Sequence, residues 1–136
     1  MGVKISCEYL GDLRVRATHG PSGNALLTDA PVDNQGKGEA FSPTDLATTA
    51  LATCILTILG IQARNLGLDF RGLTIAAEKH MTTVPPRRIA RVDLHLSIPA
   101  GVAVELRPRL VRAAEACPVK QSLHPDLEIV MTWQWA

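Results

Sequence analysis

From Leu46 to Ala63 the chain carries no charged residue. As a helix this stretch is long enough to cross a bilayer. A chain with such a segment must either place it in a membrane or build a fold around it. Thr48, Thr49, Thr53, Thr57 and Gln62 make it too polar for a spanning helix, and no aromatic belt flanks it. The expectation is a central helix buried in a protein that does not enter a membrane. Its start is well marked: Ser42 is suited to cap, Pro43 suits the first helical position, and Asp45 stands three residues on in a variant of the capping box. The helix is expected to reach about Leu66 and stop at Gly67, and its nearly uniform apolar surface predicts burial all round.

The segments on either side have the period of strands. Val3, Ile5, Cys7 and Tyr9 alternate with Lys4, Ser6 and Glu8. After Gly11-Asp12, Leu13, Val15 and Ala17 alternate with Arg14, Arg16 and Thr18, and a turn-rich stretch from His19 to Asn24 allows a third strand over Ala25 to Thr28. Residues 30 to 41 form the longest irregular stretch, of a length often tied to function. Beyond the helix, Leu73–Glu78 and Arg91–Ile98 read as neighbouring strands around Pro85-Pro86. Leu106, Leu110, Ala113 and Cys117 form a helical stripe that Pro118 interrupts, and Leu127 to Trp135 closes the chain as a strand. This order predicts a single α+β domain over residues 1–136, without repeat or linker.

Bulk properties exclude several functions. A net charge of +1 and no basic run give no field for nucleic acid or an acidic membrane surface. The first residues lack the apolar core of a secretory signal, so a cytoplasmic protein is expected. Three cysteines without CxxC indicate neither a disulfide framework nor a zinc site, and His19, His80, His95 and His124 show no metal-ligand spacing. No cofactor-binding motif is present. In a reducing compartment a pair of thiols is of most interest for catalysis.

Cys54 lies well inside the long helix and on local evidence is a small core residue; Cys7 reads as structural on the inward face of the first strand. Cys117 precedes Pro118, which can open a new helical turn, and a thiol at a helix N-terminus is stabilised as thiolate by backbone N–H groups. The residues alone therefore favour Cys117 as the more acidic thiol. Arg14 and Arg16 share a strand face and are suited to stabilise a thiolate if turned toward it.

Phe41-Ser42-Pro43-Thr44-Asp45-Leu46 opening a long Ala/Leu/Thr helix, Cys54 eleven positions after Pro43, and Cys117-Pro118-Val119 with Ser122-Leu123 occur together. In this the chain resembles the OsmC/Ohr family of osmotically inducible and organic-hydroperoxide-resistance proteins, over nearly its whole length. The resemblance implies an intertwined homodimer with two sheets wrapped around long central helices. It also implies reduction of organic hydroperoxides, with Cys54 attacking the peroxide, Cys117 resolving, and a dithiol reductant such as a dihydrolipoyl protein restoring both. On roles it reverses the residue-level reading, and we follow it. In the peroxidases a Glu after the helix-opening Pro holds the catalytic Arg; here that position is Thr44. Asp45 and Glu39 are the candidate replacements, and Arg14 or Arg16 the candidate Arg. Loss of that Glu favours the alternative of a stress-response or small-ligand-binding dimer with little turnover.

Overall fold

A computed structural model describes residues 1–136, which divide into two compact units, Met1–Ala47 and Thr48–Ala136. The first holds an antiparallel sheet in the order β1 (Ile5–Gly11), β2 (Arg14–His19), β3 (Ala25–Asp29). Asp12 and Leu13 join β1 to β2 with φ of 54° and 62°, a two-residue turn whose left-handed backbone suits the twist of a hairpin. Leu13, expected on a strand face, is thereby moved into the turn, and Arg14 becomes the first residue of β2. The β2–β3 register sets Arg14 opposite Asp29, Arg16 opposite Leu27 and Thr18 opposite Ala25. Cys7, expected to point inward, is exposed on β1, as are Ile5 and Tyr9.

Helix α1 (Pro43–Leu66) begins in the first unit and continues in the second. Its start is a reciprocal box: Asp45 N–H donates to Ser42 Oγ at 3.1 Å and Ser42 N–H to Asp45 Oδ2 at 2.9 Å. Such a cap contributes about 1 kcal/mol. At the other end Gly67 takes φ 69°, Leu68 N–H reaches Ala63 C=O at 2.8 Å and Gly67 N–H reaches Arg64 C=O at 3.3 Å. This is the Schellman pattern that a glycine permits and a β-carbon opposes.

The expectation of burial all round α1 is corrected. Thr48, Leu51, Ala52, Ile55, Leu59 and Ala63 are buried, an i, i+3, i+4 stripe, while Ala50, Thr53, Thr57, Gly60 and Ile61 are exposed. The exposed threonines satisfy their hydroxyls on the helix itself, Thr53 to Thr49 C=O and Thr57 to Thr53 C=O, each at 2.9 Å. A helix can thus be free of charge and still present one polar-tolerant face.

The second unit adds β4 (Thr74–Met81), β5 (Ile89–Ile98), α2 (Arg107–Glu115), α3 (Pro118–Ser122) and β6 (Glu128–Trp135). Its sheet has the order β4-β5-β6, antiparallel then parallel, so the chain crosses over through α2 and α3 to lay β6 beside β5. On β5, Val92, Leu94, Leu96 and Ile98 are buried and alternate with more exposed residues, as the period-two pattern predicts. They join the α1 stripe with Leu110, Ala114 and Cys117 in one hydrophobic cluster. The fold is α+β with two sheets and helices, and the expected helix ends and strand order are found to within a few residues.

Candidate functional site

Cys54 and Cys117 come together inside the second unit. Cys54 projects from α1 between the buried Leu51 and Ile55 and is half-buried. Cys117 is wholly buried and belongs to neither α2 nor α3; with Ala116 it forms the two-residue link between them. Its extended backbone (φ −62°, ψ 142°) makes it the N-cap of α3, with Pro118 at the first helical position. Lys120 N–H donates to Cys117 Sγ at 3.3 Å. The Cys54 sulfur is a near neighbour that acts on the Cys117 thiol.

The electrostatics of this pair correct the residue-level reading of Cys117. Burial pushes the Cys117 thiol above its ordinary pKa, the Lys120 N–H opposes the shift, and the neighbouring Cys54 sulfur adds to it. A short helix supplies one well-placed donor, and that donor does not outweigh desolvation. Cys117 is thus held as a thiol, a state suited to a proton donor or second thiol.

Stability should follow. Below the unfolded value near 9.0 both states keep the Cys117 proton, and stability is unaffected. Above it the unfolded chain ionises first, so the folded state loses stability as pH climbs from there toward its raised pKa. Thermal midpoints measured from pH 8 upward should fall more steeply in wild type than in Cys117→Ser, whose hydroxyl can keep the cap. Parallel slopes would refute the assignment.

In the first unit, Arg14 Nη2 lies 3.0 Å from Glu39 Oε1 and 3.8 Å from Asp29 Oδ2. Asp29 is 1% exposed and also accepts the Glu39 backbone N–H at 3.0 Å. Asp45 takes part in its own helix start, and Arg16 in an exposed pair with Glu8 at 3.4 Å. Asp29 escaped the sequence reading because the third strand was ended at Thr28, one residue short. The available signal was the hairpin register, which carries the polar face of β2 onto the last residue of β3.

Elsewhere, Glu78, His80 and Asp93 bring their ligand atoms within 4.8 Å of one another on β4 and β5. Asp93 spends Oδ1 on Arg91 at 2.7 Å and Oδ2 on His80 at 3.0 Å, and these bonds, Arg91 foremost, lower its pKa. The group is a surface ion-pair network. A cleft of about 540 Å³ along the later half of α1, lined by Leu56, Gly60, Arg64, Phe70 and Arg71 among others, includes neither Cys54 nor Cys117.

Fold and site together define an α+β protein with two neighbouring thiols, one at the middle of its long helix and one at a helix cap. The model of the OsmC-like protein family matches residues 36–132, and the chain belongs to that family. A protein from Psychrobacter arcticus 273-4, whose crystal structure is named for osmotic stress induction and detoxification response, is 42% identical, with a TM-score of 0.92 over 98% of each chain. An organic hydroperoxide resistance protein OsmC from Legionella pneumophila is 18% identical at a TM-score of 0.77, covering 98% of this chain and 97% of its own. One named an organic hydroperoxide resistance protein, from Elizabethkingia anophelis, is 16% identical at 0.78, covering 100% and 97%. At those identities the likeness shows the fold alone. No curated protein matches.

Proposed function

We propose that the protein is a thiol-dependent peroxidase that reduces organic hydroperoxides to alcohols. The observation that carries this reading is that Cys54 and Cys117, far apart in sequence, are neighbours in the fold, with Cys117 wholly buried at the cap of α3. Cys54 thiolate attacks the terminal peroxide oxygen; the O–O bond breaks, the alkoxide leaves and takes a proton to become the alcohol, and Cys54 is left as a sulfenic acid. Cys117 then attacks that sulfur. Water departs and a Cys54–Cys117 disulfide forms, which an external dithiol reduces by exchange, becoming a disulfide itself. Arg14 is the group we assign to the developing negative charge on oxygen.

We further place this chemistry in a cytoplasmic homodimer. A three-stranded sheet needs an apolar face covered to be stable, yet Ile5, Tyr9, Leu10, Leu26 and Leu27 are all exposed. Only 33% of the most apolar stretch of α1 is buried within the chain. A second copy brings the same apolar surfaces and is the cover we propose; sedimentation should give twice the chain mass, and a monomer would contradict it.

The test of function is a thiol count. Reduced protein mixed with cumene hydroperoxide should lose two thiols per chain, faster than with hydrogen peroxide. Thiols unchanged at a large peroxide excess would favour the second reading, a stress-response dimer without turnover, to which Thr44 in place of the family Glu points.

A further inference from the structure

We infer that the reducing dithiol attacks Cys54 Sγ and that Cys117 Sγ is the sulfur that departs, so the mixed disulfide of the regeneration step forms on Cys54. This deepens the peroxidase reading and rests on its Cys54–Cys117 disulfide.

A disulfide offers two sulfurs to an incoming thiolate, and access decides between them as much as acidity does. Cys117 is 0% exposed and belongs to the same hydrophobic cluster as Leu51, Ile55, Leu94 and Leu110. Cys54, on α1, is only half-buried. Joining the two makes Cys54 the outer sulfur and Cys117 the inner one. In exchange the attacking, central and departing sulfurs lie close to one line, because the incoming lone pair must enter directly behind the breaking bond. A thiolate that comes from solvent along that line meets Cys54 and drives Cys117 inward. Attack on Cys117 needs an approach from the side away from Cys54, through packed side chains. The peroxide must also reach Cys54, so one opening serves both reactants.

The departing sulfur has a partner waiting. Cys117 is the N-cap of α3, and Lys120 N–H donates to its Sγ at 3.3 Å. That donor meets the negative charge as the S–S bond breaks. Burial still disfavours the ion, so Cys117 takes up a proton and rests as a thiol. Its raised pKa makes Cys117 a slower leaving group than an ordinary thiol, but a slow path outruns a closed one. The steps balance. The first thiol of the dithiol gives up its proton and bonds to Cys54; the electron pair of the S–S bond goes to Cys117, which is protonated. The second thiol, deprotonated in turn, attacks the first and closes the reductant's own disulfide, and Cys54 leaves as thiolate. Two electrons pass from the dithiol to the protein.

The experiment uses the full chain carrying Cys7→Ser, so that only the pair can exchange. Diamide closes the disulfide without any peroxide. Thioglycerol, a monothiol with no second sulfur to finish the exchange, is then added, and samples quenched in acid at the earliest times are mapped by mass spectrometry. Thioglycerol should sit on the Cys54 peptide, with Cys117 free, in about tenfold or greater excess over the reverse adduct. A second measurement runs the same step backwards, with single-thiol proteins and the disulfide of thioglycerol. Cys54, left alone by Cys117→Ser, should form its mixed disulfide about tenfold faster than Cys117 left alone by Cys54→Ser. Where no adduct lives long enough to be mapped, these two rates decide. Adducts in equal amounts or mainly on Cys117, or equal rates for the two single thiols, would overturn the inference and leave the peroxidase reading standing. A disulfide that forms with diamide but not with cumene hydroperoxide would overturn the peroxidase reading. Failure of diamide to form it would overturn both.

Discussion

Cys54→Ser should lose its reaction with cumene hydroperoxide, the rate of thiol oxidation falling on the order of 1000-fold or more, about 4 kcal/mol of barrier. The size of the effect follows from the chemistry. The peroxide O–O bond is broken by a sulfur lone pair, and a serine hydroxyl at neutral pH offers no comparable nucleophile. Cys117 does not take over, because its burial holds it as the neutral thiol. Cys7 is exposed and gives at most the slow background of a free surface thiol, so Cys7→Ser should react as wild type does. The fold should survive the change at position 54, which is half-buried and has a Thr-tolerant helix around it. Competition kinetics with a fluorescent thiol probe would measure the ratio; a Cys54→Ser protein that still consumes peroxide at the wild-type rate would remove Cys54 from the attacking role.

Cys117→Ser should separate the first half of the cycle from the second. Attack by Cys54 persists, but no thiol closes the disulfide, so the sulfenic acid remains and can be trapped with dimedone. Turnover with a dithiol reductant should fall from many cycles to about one per chain, as excess peroxide carries the sulfenic acid on to the sulfinic state that thiols do not reverse. Serine accepts the Lys120 N–H well at a helix N-cap, so α3 should remain formed and the loss should be chemical. Sustained multiple turnover in this variant would show that an external thiol resolves Cys54 directly.

Much of the fold was legible in the sequence because its signals are local. The Ser42 box, Pro43 and Gly67 bracket α1 to the residue, since caps are made by the side chains beside them. The alternation in β5 and the break at Cys117-Pro118 are equally local, and both elements are found where their patterns place them. What was not legible depends on neighbours from elsewhere in the chain. The thiol of Cys117 was expected to be acidic because a helix N-terminus is visible in sequence, whereas its complete burial comes from packing among α1, β5 and α2. α1 was expected to be covered on every side because composition does not record what covers a face. Asp29 was missed by one residue of strand length, and with it the buried partner of Arg14.

Peptide mapping by mass spectrometry after one equivalent of cumene hydroperoxide is the most direct test of the redox pair. The fragment containing Cys54 should be found joined to the fragment containing Cys117, with Cys7 still free, and a dithiol should separate them again. Recovery of both fragments unlinked and unoxidised, or linkage through Cys7, would contradict the account.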